Sequence, residues 1–321
     1  MVCTNRLFRQ IIILVVALSC FFPLNAEAMW TMAPDETLYP PMIADPDYPR
    51  FVLKFPFYIE QSIDTLQEST ILSAREIMKF GGVQSLFRLS FDARQETAAE
   101  VSAGAGLTTM FDTFEDALEN IGWEGTGFLT VDLRVKDFLS FRFGFHHLSS
   151  HVGDEYLARY EVLDMPVDDQ ADLLVGRTYG MDYVRDSLYG GLSFQISPSF
   201  RFATEVRYSM NMLRYMLRYN DFPWQTSISI EYRESEKGEG NWKWYSGVHV
   251  SMYQESSWFP STTIQLGRAL SQKDSNREFR VGLEYYYGRV QIASFNHTQT
   301  LISWQEVERE SHLAVGAWYD L

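Results

Sequence analysis

The sequence predicts an all-β protein, an antiparallel up-and-down transmembrane β-barrel of about twelve strands with a filled polar lumen. Three observations carry that prediction. Segments in which apolar and polar residues alternate strictly recur along most of the 321 residues. These segments run about 10 to 14 residues, long enough to cross a bilayer tilted, against roughly 5 to 6 for the usual soluble strand. Aromatic residues make up 15% of the chain and gather at segment ends, as interfacial girdles do.

The elements follow in chain order. The first 28 residues read as an export signal, with Arg6 and Arg9 as its basic end, Ile11 to Cys20 as its apolar run, and Ala26-Glu27-Ala28 as a small-residue cleavage site before Met29. Cleavage there removes both cysteines, Cys3 and Cys20, and with them disulfides and thiolate metal sites. The alternative makes Cys20 the lipidated residue of a lipoprotein. Residues 29–49 then form a periplasmic N-terminal segment and 50–321 the barrel. Its strands lie near 50–60, 82–93, 98–110, 124–134, 137–148, 180–195, 199–212, 225–234, 241–254, 260–270, 277–288 and 311–321. Pro56 removes a ladder donor from the first of these, and the stretch from Gln61 to Lys79 also fits a helix, so ten strands is the alternative count. The last segment alternates through Leu313, Val315, Ala317, Tyr319 and Leu321, the pattern of a terminal strand that barrel-assembly machinery reads.

Short turns at 134–137, 196–199, 235–240 and 271–276 alternate with long connections at 111–123, 148–178, 213–224 and 289–310. Barrels of this kind have short periplasmic turns and longer external loops, so both termini fall on the periplasmic side and the implied location is the bacterial outer membrane. The faces opposite the apolar ones carry charges of both signs: Asp132, Arg134, Arg142, Glu205, Arg207, Glu231, Arg233, Arg280 and Glu284. In a narrow lumen such charges pair, because an unpaired buried charge is costly. The net charge of −15 argues against a nucleic-acid partner and against electrostatic docking on anionic lipid, while the barrel's location makes outer-membrane lipids the expected partner.

Three of the six histidines, His146, His147 and His151, fall where one alternating segment runs out into a long polar connection. Leu139, Phe141, Phe143 and Phe145 share a face, and the same period puts His147 and Ser149 on that lipid-facing side at the external boundary. A histidine two residues from a serine can take the proton of its hydroxyl, provided that an acid or amide orients the imidazole. Candidates for that third role are Glu161, Asp154 and Glu155. A metal reading groups His146, His147 and His151 with Asp154 and Glu155 around Zn²⁺ or Ca²⁺, but adjacent histidines on a strand point to opposite faces. No metal or cofactor is therefore assigned, calcium being the one ion left open. The plainest alternative is a polar girdle and turn, with Gly153-Asp154 making the bend.

The His147-x-Ser149 arrangement resembles the active sites of the outer-membrane phospholipase A and lipid A 3-O-deacylase families, where such a pair lies on the outward face of a strand near the outer leaflet. That resemblance implies acyl-ester hydrolysis, with the third residue fourteen positions after the histidine, which is Glu161 here. Serine stands at Ser150 where those enzymes commonly have asparagine. A longer resemblance rests on Ile43-Ala44-Asp45-Pro46 to Pro49-Arg50-Phe51, on the run from His147 through Ser150-His151-Val152-Gly153-Asp154-Glu155 to Tyr156, and on Tyr286-Tyr287-Gly288-Arg289. These segments are similar to the exported bacterial family known as domain of unknown function 1207, which implies a barrel without naming an activity. Three functions follow: a non-enzymatic outer-membrane barrel with a structural, binding or minor transport role; an outer-membrane lipid esterase using His147 and Ser149; and an exported soluble β-protein or lipoprotein.

Overall fold

The computed structural model describes residues 29–60, 75–92, 96–112, 119–153, 183–214, 217–218, 222–235, 242–271, 277–291 and 309–320. Its strands are β1 (Met29–Met32), β2 (Phe51–Glu60), β3 (Arg75–Ser90), β4 (Thr97–Asp112), β5 (Glu119–Val135), β6 (Leu139–Val152) and β7 (Tyr183–Ser197), then β8 (Phe200–Arg214), β9 (Leu217–Arg218), β10 (Trp224–Arg233), β11 (Lys243–Tyr253), β12 (Pro260–Ser271), β13 (Glu278–Arg289) and β14 (Arg309–Asp320). All but β1 and the two-residue β9 form one antiparallel ring, closed where β14 pairs with β2 and β2 with β3. Twelve strands thus make the barrel, as the alternation predicts.

Period-two burial follows period-two chemistry. Along β10, Gln225, Ser227, Ser229 and Glu231 are buried inside while Ile228 and Ile230 are exposed outside. The same holds around the ring: Phe55, Phe57, Phe141, Phe143, Leu266, Leu283 and Val315 lie on the outer wall, and Lys54, Asp132, Arg142, Glu205 and Arg280 lie within. A continuous exposed apolar belt of this extent is the surface of a protein that sits in lipid, not of a soluble sandwich.

Three elements of the ring differ from the sequence reading. The strand β3 starts at Arg75, so 75–79 is strand rather than helix; β5 starts at Glu119, so 119–123 is strand rather than part of a long connection 111–123; and β6 continues to Val152, which brings Ser149, Ser150 and His151 into the wall instead of a loop. Residues 1–28, 61–74 and 154–182 lie outside the described residues, and with them the expected export signal and most of the long connection after β6.

The segment 29–49, read from sequence as periplasmic, is part of the barrel. β1 and β2 occupy one strand position: β1 pairs with one end of β3 (Met29 opposite Ser90, Met32 opposite Phe87), and β2 with the other (Val52 opposite Lys79). Between them Ala33, at φ 44°, turns the chain off the wall, and the stretch that follows fills the lumen with Leu38, Tyr39, Met42, Ile43 and Ala44, all buried. Pro34, Pro40, Pro41, Pro46 and Pro49 keep this stretch from forming a ladder, so its carbonyls need other donors. Arginines of the wall supply them. Arg201 donates to Pro40 O (3.1 Å) and Pro41 O (2.5 Å), Arg280 to Ile43 O (3.1 Å), and Arg88 to Glu36 O. The same guanidinium groups pair with wall carboxylates, Arg201 with Glu231 at 2.6 Å and Arg280 with Asp320 at 2.9 Å, while Arg142 forks onto Asp132 at 2.7 and 2.8 Å. The expected pairing of inner charges therefore holds, and each arginine also anchors the plug or packs against it.

Candidate functional site

On β6 the lumen receives Arg142, His146, Leu148 and Ser150, and the outer face carries Phe141, Phe143, His147 and Ser149. His146 is a lumenal packing residue: its Nε2 lies 3.0 Å from Thr126 Oγ1 and its ring meets Tyr189 edge-on. It therefore cannot share a metal with His147, which faces the other way.

His147 is half-exposed on the outer wall, and its Nδ1 lies 2.7 Å from Asp186 Oδ1. Strand register makes this contact, because His147 on β6 stands directly opposite Asp186 on β7. Asp186 stands in turn opposite Asn211 on β8, whose Nδ2 donates to Asp186 Oδ2 at 3.0 Å. A β-bulge places Asn211 there. The β7–β8 register shifts between Asp186 and Ser187, with Met210 as the extra residue; without that shift the alternation from Ser209 would send the Asn211 side chain into the lumen.

The arrangement can support proton transfer. A carboxylate accepting from Nδ1–H fixes the tautomer in which Nε2 is free to act as base. Ser149 lies two residues along the same face. Across from it on β5 is Gly125, where a Cβ would come within 3.2 Å of Ser149 Oγ, and across from His147 is Gly127, where a Cβ would meet only Gly104 O at 3.7 Å. The two β5 positions facing the pair thus carry no side chain, and the Trp123 ring borders the gap, 3.9 Å from where a Gly125 Cβ would lie. Farther up the strand His151 stacks on Trp123, ring centroids 4.0 Å apart, which marks the interfacial level. Among the described residues no hydrogen bond joins Ser149 Oγ to the His147 ring, a contact that in ligand-free sites is often long and tightens on substrate.

Of the residues singled out from sequence, His147 and Ser149 come together on the outer wall, while Glu161, Asp154 and Glu155 lie outside the described residues. Asp186 and Asn211 were not anticipated. The sequence signal for Asp186 is a charge at an outward position, between the outward Val184 and Leu188 of β7.

A closed, filled barrel with an apolar wall defines an outer-membrane-type β-barrel protein, and this one carries a line of serine, histidine, aspartate and asparagine across three strands of that wall. The chain belongs to the family described as Protein of unknown function (DUF1207), whose model matches residues 25–301. No curated protein matches it. Similar solved structures include the outer membrane phospholipase A from Escherichia coli (9% identity, covering 86% of this chain and 94% of that one, TM-score 0.49). They also include the NanC porin (10%, 84% and 100%, 0.43) and the KdgM porin (9%, 84% and 98%, 0.41).

Proposed function

We propose that this protein is a bacterial outer-membrane barrel that hydrolyses acyl esters of outer-leaflet lipids on its outward wall. Ser149 is the nucleophile, His147 the general base and Asp186 the carboxylate that orients it. The observation that carries this reading is the 2.7 Å contact between His147 Nδ1 and Asp186 Oδ1 on the face turned to lipid. Ionisable side chains on a lipid-facing wall are costly at the midplane, about 2–4 kcal/mol for a basic residue, and cost about 0–1 kcal/mol near the interface. An aligned, hydrogen-bonded set of them near an aromatic pair is a functional arrangement by default.

In the reaction, His147 Nε2 takes the Ser149 hydroxyl proton as Oγ attacks the ester carbonyl, and Asp186 stabilises the imidazolium. The imidazolium returns the proton to the departing alkoxide, leaving an acyl-serine. Water, deprotonated by the same Nε2, then releases the fatty acid and restores Ser149. Asn211 holds the second Asp186 oxygen and so fixes the carboxylate plane.

The test is hydrolysis of phospholipid and lipid A esters by purified, refolded protein in mixed micelles, with and without calcium, beside Ser149→Ala and His147→Ala. Both variants are expected to lose activity by at least about a hundredfold. Activity that survives both, or a wild-type protein inactive on both ester classes in either condition, overturns the proposal. The filled lumen favours one second reading, a barrel with a structural or binding role and no diffusive conductance.

A further inference from the structure

We infer that the outer wall below Ser149 contains a groove for the far end of an acyl chain, so that the site selects long-chain esters; this rests on the hydrolase reading above. The wall is depressed by a cavity of about 540 Å³, lined by Val131, Phe141, Phe143, Gly190, Leu192 and Val206 among others. The cavity spans β5 to β8, with β6 and β7, the strands that carry His147, Ser149 and Asp186, at its middle. Its floor is Gly190, paired with Phe143 on one side and Val206 on the other. A missing side chain makes the depression, since a Cβ at Gly190 would find nothing nearer than Arg142 O at 3.8 Å.

Two of its residues are polar in type, and neither presents a free polar group: Arg142 turns its guanidinium into the lumen, onto Asp132 Oδ1 at 2.7 Å. Thr204, at the edge, donates Oγ1–H to Ser227 O at 2.9 Å and so satisfies its polar group within the wall. The occupant follows from position, because this surface belongs to the apolar belt that lipid covers. From Ser149 down β6 to Phe143 is roughly 20 Å at about 3.3 Å per residue. A strand tilt of roughly 35–45° turns that into about 15 Å of depth, half of a hydrocarbon core of about 30 Å. A chain with its ester at Ser149, running down the wall over the facing pair Phe145 and Leu188, therefore reaches the groove only with its methyl end. A short chain stops above it.

The experiment compares hexadecanoyl and octanoyl esters of one headgroup, in the same micelles, for wild type, Gly190→Leu and Val315→Leu on another part of the outer wall. Leucine at 190 fills the groove and has room to do so. It is expected to lower kcat/KM for the long ester about tenfold, within the roughly 10–200-fold that single methylene changes cost in apolar pockets, and to leave the short ester and the Val315→Leu protein unchanged. Equal effects on both esters, or none, with an active wild type, overturn the groove and leave the hydrolase reading standing. A wild type inactive on both esters overturns the hydrolase reading and the groove with it. If Gly190→Leu fails to fold, the wild-type profile decides: kcat/KM rising from octanoyl to hexadecanoyl supports the groove, and a flat profile overturns it.

Discussion

Replacing Glu231 with alanine is expected to loosen the lumenal plug and to cost roughly 3–5 kcal/mol of stability. Glu231 is 3% exposed and takes four donors: Ile43 N–H at 2.5 Å, Arg201 Nε and Nη2 at 3.0 and 2.6 Å, and Arg233 Nη1 at 3.1 Å. Arg233 keeps a second partner in Glu278, at 3.5 Å. Among the described residues Arg201 keeps only the Pro40 and Pro41 carbonyls as hydrogen-bond partners, so the substitution leaves a buried guanidinium without its carboxylate, the case in which deleting one member of an ion pair costs about 3–5 kcal/mol. The orphaned Ile43 amide carries its own penalty of about 1–3 kcal/mol, which overlaps the first because both act through the same plug segment. At about 1.4 kcal/mol per tenfold, the folded-to-unfolded ratio falls by roughly a hundred- to a few thousandfold. Glutamine at 231 retains an acceptor for Ile43 and loses the charge, and is expected to fall between alanine and wild type. Guanidinium unfolding in lipid vesicles, followed by tryptophan fluorescence, gives the stability, and limited proteolysis within 33–50 reports the plug. An alanine variant within about 0.5 kcal/mol of wild type, its plug still protected, would refute the claim that the arginine–glutamate forks hold the plug in place.

Asp186→Ala removes the acceptor behind His147, and is expected to lower kcat by about 10²–10⁴ with KM little changed; an unchanged kcat argues that Asp186 is not the orienting group. Asn211→Ala, acting only through Asp186, is expected to lower kcat about tenfold in the same assay, and a change confined to KM would remove its positioning role. Gly144→Ala drives a Cβ to within 2.3 Å of Leu129 O, so β5 and β6 must part locally. It is expected to cost about 1–3 kcal/mol, read as a lower temperature for conversion of the folded band on a gel, and an unshifted conversion would show that the wall yields there.

The barrel was legible because its wall obeys one rule throughout: lipid outside and paired charge inside impose period two on every long segment, and that period survives in sequence without any neighbour being known. The plug was not legible for the converse reason. Its buried residues Leu38, Tyr39, Met42 and Ile43 follow no period, and five prolines between 34 and 49 look like a linker; what identifies them as core is the set of arginine forks supplied by strands far along the chain. The site divides in the same way. His147 and Ser149 share a strand, so their common face could be read directly. Asp186 is 39 residues from His147 and meets it through register, and Asn211 faces Asp186 only because of the bulge at Met210, a feature that no alternation pattern announces.

A site built across a barrel wall is defined by height, not by sequence distance. Gly127, His147, Asp186 and Asn211 form one cross-strand row on β5, β6, β7 and β8, and any neighbouring strand that presents a carboxylate at that row can orient the imidazole. The fourteen-residue step from His147 ends at Glu161, which lies outside the described residues. Here β6 and β7 are separated by residues 153–182, and the partner in register, Asp186, is reached from across that connection. Strand parity does the rest. One residue separates His146, packed against Thr126 and Tyr189 in the lumen, from His147 on the lipid face, so the plug and its ion pairs can be tuned for stability without touching the wall chemistry. That separation explains how a lumen closed by its own N-terminal segment is compatible with a site that needs no pore.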